Sequence, residues 1–149
     1  MKRTIQLPIS IKESSATEIT VSVLVDQESL VPWCMELILL EKGVIEFFAV
    51  ADQSYNFRLK IRLDHEIHRS RRGDFVKSAK GIDLSITPTE LELWLDFFLK
   101  YYCNKVADVD HLDLEVQSST PNELFLTLKV DNSLSPVTEA EARHRLNLL

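Results

Sequence analysis

Thr87-Pro88-Thr89-Glu90, followed by Leu91-Glu92-Leu93-Trp94-Leu95-Asp96-Phe97-Phe98-Leu99-Lys100-Tyr101-Tyr102, joins a helix start to an unusually broad apolar surface. Thr87 has the chemistry of an N-cap, and Pro88 falls at the first helical position, where its missing N–H costs nothing. Glu90, three residues past the cap, completes capping-box spacing. The pattern predicts a helix over about 88–103, with Asn104 as an acceptable stop. At about 100° per residue the apolar side chains sweep roughly 240° of the circumference. Only Glu92, Asp96 and Lys100 remain as a narrow polar stripe. A helix lying on one surface shows a narrower apolar stripe, so this one needs two covers. The first is the inner face of a sheet; the second is a terminal helix, another subunit or a ligand. Trp94, Phe97, Phe98, Tyr101 and Tyr102 are accordingly read first as core, and after that as subunit-interface or pocket residues.

Period-two alternation surrounds this helix. Ile5, Leu7, Ile9 and Ile11 alternate with polar residues, as do Ile19, Val21, Val23 and Val25, which reads as two half-buried strands. Pro8 cannot donate to a ladder, so the first strand is expected at an edge or with a bulge. Residues 37–40 and 44–51, joined by Glu41-Lys42-Gly43, read as a hairpin, the second strand being covered on both faces. Phe57, Leu59, Ile61 and Leu63 alternate with Arg58, Lys60 and Arg62, giving an apolar inner face and a basic outer one. Residues 64–81 show neither period and read as the longest loop. A short strand at 82–86 feeds the helix. Alternation at 112–116 and 124–130 predicts a second hairpin, and Thr138 with Glu141 marks a short terminal helix. The expectation is an α+β domain over 1–149: an antiparallel sheet of about seven or eight strands, packed by the aromatic helix and the short C-terminal helix.

The 149 residues carry a net charge of −6. Residues 58–80 nonetheless hold eight Lys or Arg against Asp64, Glu66 and Asp74. A chain acidic overall is a poor nucleic-acid ligand, so any anion site must be local. No apolar run reaches the length of a membrane span, and the interrupted N-terminal pattern does not read as a targeting peptide. Cys34 and Cys103 fit neither a disulfide framework nor a CxxC site, so a reducing cytoplasm is the expected compartment.

Chemistry is sparse. His65-Glu66-Ile67-His68 is the one local cluster of metal-ligand types, and its HxxH spacing is one residue short of the zincin pattern; the expectation is no metal and no cofactor. Arg69, Arg71 and Arg72, with Lys77 and Lys80 following and Arg58, Lys60 and Arg62 before them, form one candidate electropositive surface. Those of them within 58–72 are the candidate anion- or partner-binding residues, because arginine forks suit phosphate and carboxylate. The competing reading pairs the basic strand with Asp113 and Glu115 across a sheet. Cys34, placed in a loop beside Trp33, and His111 on an outward strand face do not form a recognisable nucleophile–base arrangement. With glycine only at 43, 73 and 81, a P-loop is ruled out. The function expected from the sequence is that of a non-enzymatic protein-interaction domain, acidic and of the inhibitor or chaperone-like kind, with self-association through the aromatic helix as one mode. The alternative is a small-molecule anion-binding domain or enzyme that uses segment 58–80.

Overall fold

The computed structural model describes residues 4–13, 15, 17–52, 56–64, 73–103, 111–117 and 123–130. In chain order the elements are β1 (Thr4–Gln6), β2 (Ile9–Glu13), β3 (Glu18–Val25), α1 (Gln27–Glu41), β4 (Phe47–Ala51) and β5 (Arg58–Leu63). They continue with β6 (Asp74–Ser78), β7 (Gly81–Ile86), α2 (Pro88–Tyr102), β8 (His111–Gln117) and β9 (Glu123–Val130). The fold is α+β, but its strands form two mixed sheets where one antiparallel sheet is expected. The larger has the order β1-β4-β5-β7-β6 and the smaller β2-β3-β9-β8. β1 with β4, β5 with β7 and β3 with β9 are parallel; the other pairs are antiparallel. The expected terminal helix lies outside the described residues.

The first alternating segment breaks at Pro8, and its halves join different sheets. Leu7 donates its N–H to the Ala51 carbonyl, and the Pro8 carbonyl accepts from Leu24, each at 3.0 Å. Pro8 is thus the corner between the sheets, and β1 and β2 each end up at an edge.

The larger correction concerns α1. Residues 37–40 are not a strand: they belong to a 15-residue helix that Asp26 caps, its carboxylate accepting from Ser29 N–H at 2.8 Å. Buried Leu30, Trp33, Cys34, Leu37 and Leu40 recur at helical spacing straight through Pro32. Pro32 deprives the Glu28 carbonyl of its helical donor, yet both residues are on the exposed side, where water can replace that bond. Gly43, at φ +71°, turns the chain out of the helix.

α2 forms as its capping box requires. Glu90 N–H donates to Thr87 Oγ1 at 3.2 Å, and Thr87 N–H donates to Glu90 Oε1 at 3.0 Å. The second cover of α2 is α1. Trp33, with no exposed surface, stacks on Trp94 at 6.5 Å between ring centroids and meets the edges of Phe98 at 5.4 Å and Phe48 at 5.6 Å. Phe48 belongs to the inner face of the larger sheet, with Val50, Leu59, Ile61, Ile82 and Leu84. One continuous core joins that face, both helices and the apolar face of the smaller sheet. At its margin Lys77 of β6 pairs with Glu13 of β2.

The expected 64–81 loop is also shortened: β6 lies within it and forms a hairpin with β7, the strand expected at 82–86, Phe75 packing on the inner face opposite Leu84. Because β6 takes up the return of the chain, β7 runs parallel to β5.

Candidate functional site

Neither α1 nor α2, the helices among the described residues, lies on the outer face of the larger sheet. The composition of that face follows from the register. β5 is the middle strand, and its outward residues Arg58, Lys60 and Arg62 stand in a line, successive cations separated by about 6.6 Å along the strand. On the β4 side they neighbour Ala51, Ala49 and Phe47; on the β7 side, Gly81, Asp83 and Ser85. The row is flanked by small residues on both sides, with one aromatic ring at one end. Ala49 and Ala51 are buried as the floor between taller side chains, whereas Arg58, Arg62 and Asp83 are exposed.

Lys60 leans over Phe47, its Nζ 4.0 Å from the ring centroid, which holds the ammonium in place by a cation–π contact. No ion pair with another described residue engages Arg58 or Arg62. The expected partners Asp113 and Glu115 are on β8, in the other sheet. There Asp113 accepts from Thr127 Oγ1 at 2.8 Å and lies 3.5 Å from His111 Nε2. The register explains the correction: β5 is enclosed by β4 and β7, and Asp83 is the acid that shares its row.

Each end of the basic row opens into a cleft. At the Arg62 end, a cleft of about 290 Å³ is lined by Arg62, Glu46, Ile45 and Gly43, so the cation there faces a carboxylate. At the Arg58 end, a cleft of about 340 Å³ is lined by Arg58, Lys80, Ser78 and Asp83, with two cations to one acid. The larger cleft, about 650 Å³, is at the corner between the sheets against Pro8, Ser22, Leu24 and Lys129. Its carboxylate, Asp52, accepts from the Asn56 N–H at 3.0 Å and so holds the β4–β5 turn.

The other candidates are dispersed. Trp94, Phe97 and Phe98 are core, at 3%, 7% and 0% exposure, and Trp33 of α1 packs on Trp94 and Phe98. Tyr101 is half-buried in an edge-on contact with Phe97, ring centroids 5.1 Å apart, while Tyr102 is exposed. Arg69, Arg71, Arg72, His65 and His68 lie outside the described residues. Cys34 is in α1, not in a loop, and burial pushes its thiol up to about 11, with a smaller contribution from neighbouring Cys103. It therefore stays a protonated, weakly nucleophilic thiol at neutral pH. No helix among the described residues is long and apolar enough to cross a membrane. Lys80, which charge alone groups with Arg58 in the sequence, meets it here across 22 residues because the β5–β7 pairing brings them together.

No protein-family model matches the chain, and no curated protein does. Among solved structures the chain is similar to Drosophila Suppressor of Fused, at 10% identity and a TM-score of 0.44 over 87% of this chain. It spans 30% of that protein's length.

Proposed function

We propose that the protein is a non-enzymatic binding domain that takes an extended acidic segment of another protein on the outer face of its larger sheet. The observation that carries this reading is the row Arg58, Lys60, Arg62 on the middle strand, raised above a floor of Ala49, Ala51 and Gly81. An extended chain presents every second side chain at about 6.6–6.8 Å. Alternate Asp or Glu residues would therefore meet the three cations in register. The guanidinium forks suit carboxylates, and the acidic remainder of a chain whose overall net charge is −6 repels the same ligand from other surfaces. Trp94, Phe97 and Phe98 of α2 belong to the core, so recognition is assigned to the sheet and not to that helix.

The test is the binding of a fluorescent peptide of alternating Glu and Thr, followed by anisotropy at low and moderate salt. The chain should bind it with an affinity that falls as salt rises. Arg58→Ala with Arg62→Ala should weaken binding by roughly two- to thirtyfold, from two lost charge pairs of about 0.2–1 kcal/mol each. Equal affinity in the double variant, or no binding by the unaltered chain, would place recognition elsewhere. Tighter binding of a single-stranded oligonucleotide than of the peptide would also overturn the proposal.

A further inference from the structure

Arg58 begins β5 and Lys80 lies in the turn between β6 and β7, yet their backbones are tied together: Arg58 donates its N–H to the Lys80 carbonyl at 3.0 Å. This approach depends on Gly81, where a Cβ would fall 2.0 Å from the Arg58 carbonyl oxygen. Ser78 closes the turn from the other side, donating its hydroxyl to the Gly81 carbonyl at 3.3 Å. The two side chains that leave this knot line one cleft of about 340 Å³ with Asp83 on its wall. The Arg62 end of the row opens beside Glu46 and has only one cation, so the two ends of the face are chemically unlike.

We propose that the Arg58–Lys80 cleft is a phosphomonoester site: it receives the phosphate of a phosphorylated side chain in the acidic segment lying on the sheet. The proposal rests on the reading of the outer face as a recognition surface and adds the class of group taken at one end. Asp83 opposes any anion in this cleft, so the distinction lies in acceptors: a lone carboxylate has two oxygens, which the Arg58 fork alone can occupy, leaving Lys80 without a partner from the ligand. A phosphomonoester brings close to two negative charges and three acceptor oxygens near neutral pH, enough for the Arg58 fork and the Lys80 ammonium together. The row itself sets the direction of the bound segment, with its phosphorylated residue at the Arg58 end and its carboxylates over Lys60 and Arg62.

The experiment compares three probes on the intact chain: the alternating Glu–Thr peptide, the same peptide with one terminal Thr phosphorylated, and inorganic phosphate. The phosphopeptide should bind roughly tenfold more tightly than its parent, as new charge-assisted hydrogen bonds allow. Lys80→Ala should abolish most of that gain and leave the parent peptide's affinity within about twofold, because Lys80 is off the row. Arg62→Ala should weaken both peptides alike. Competition by millimolar inorganic phosphate against the phosphopeptide, but not against its parent, would place the group in the cleft and show that it needs no particular carrier. If both peptides bind equally, or if Lys80→Ala weakens them equally, the phosphate site is wrong while the row stands. If neither peptide binds, the recognition face is wrong. A far-UV circular dichroism spectrum of each variant confirms that it remains folded.

Discussion

Replacing Trp33 tests how the core is built. Its indole is buried and lies between Trp94, Phe98 and Phe48, with ring centroids 6.5, 5.4 and 5.6 Å away. It is thus the point where α1, α2 and the larger sheet meet. Trp33→Ala removes the ring from a site that cannot collapse without moving two helices, so the cost should be about 3–5 kcal/mol. At roughly 2–4 °C per kcal/mol for a chain near this size, the melting temperature should fall by about 6–20 °C. Trp33→Phe should behave differently. The indole Nε1–H has no hydrogen-bond partner among the described residues, and an unpaired buried donor costs about 1–3 kcal/mol. Phenylalanine loses part of the ring and that penalty together, so the Phe variant should lie within about 1 kcal/mol of the parent. Urea unfolding followed by far-UV circular dichroism gives both values, provided the slope against denaturant is unchanged. A Trp33→Ala cost below about 1 kcal/mol, or a Phe variant as unstable as the Ala one, would refute the assignment of α1 as the second cover of α2.

Gly81→Ala should cost about 1–3 kcal/mol, because the new Cβ collides with backbone 2.0 Å away. Gly43→Ala, with open space around it and only its φ of +71° to strain, should cost about 1 kcal/mol; equal losses in urea titrations would contradict the close β5–β7 approach. Of the two thiols, exposed Cys103 should react with a disulfide reagent at pH 8 in the folded chain, and Cys34 only after unfolding. Burial raises the folded Cys34 pKa from 9.0 to about 11, so between those values the unfolded chain releases this proton first. Its contribution to stability is therefore intact below pH 9 and is lost as pH rises toward 11. In a Cys34→Ala variant that part of the alkaline decline should disappear, and an unchanged decline would assign it to other groups. For the recognition face, Arg58→Ala with Arg62→Ala should leave the unfolding midpoint almost unmoved while weakening the acidic peptide, since exposed cations contribute little to stability.

Local chemistry made α2 legible. Thr87, Pro88 and Glu90 specify a helix start on their own, and the width of the apolar arc correctly called for two covers. The β8–β9 hairpin and the basic outer face of β5 were equally legible, because period-two alternation is a property of each strand alone. α1 was obscured by Pro32 and by the apolar run at 37–40, which fits a buried strand as well as a helix face; Asp26, three residues before Ser29, was the signal that favoured a helix. The split at Pro8 and the parallel pairings depend on contacts distant in sequence, which alternation does not encode. The row Arg58, Lys60, Arg62 could be found from spacing. Its true neighbours Phe47, Ala49 and Asp83, and the meeting of Arg58 with Lys80, follow from register and from the glycine that lets β7 approach β5.

The most direct test of the account is a titration of the alternating Glu–Thr peptide into ¹⁵N-labelled protein, followed residue by residue through the backbone amides. The account predicts that the shifts concentrate at residues 47, 49, 51, 58, 60, 62, 83 and 85 and vanish at high salt. Shifts centred on the exposed faces of α1 and α2, or on β8 and β9, would contradict it.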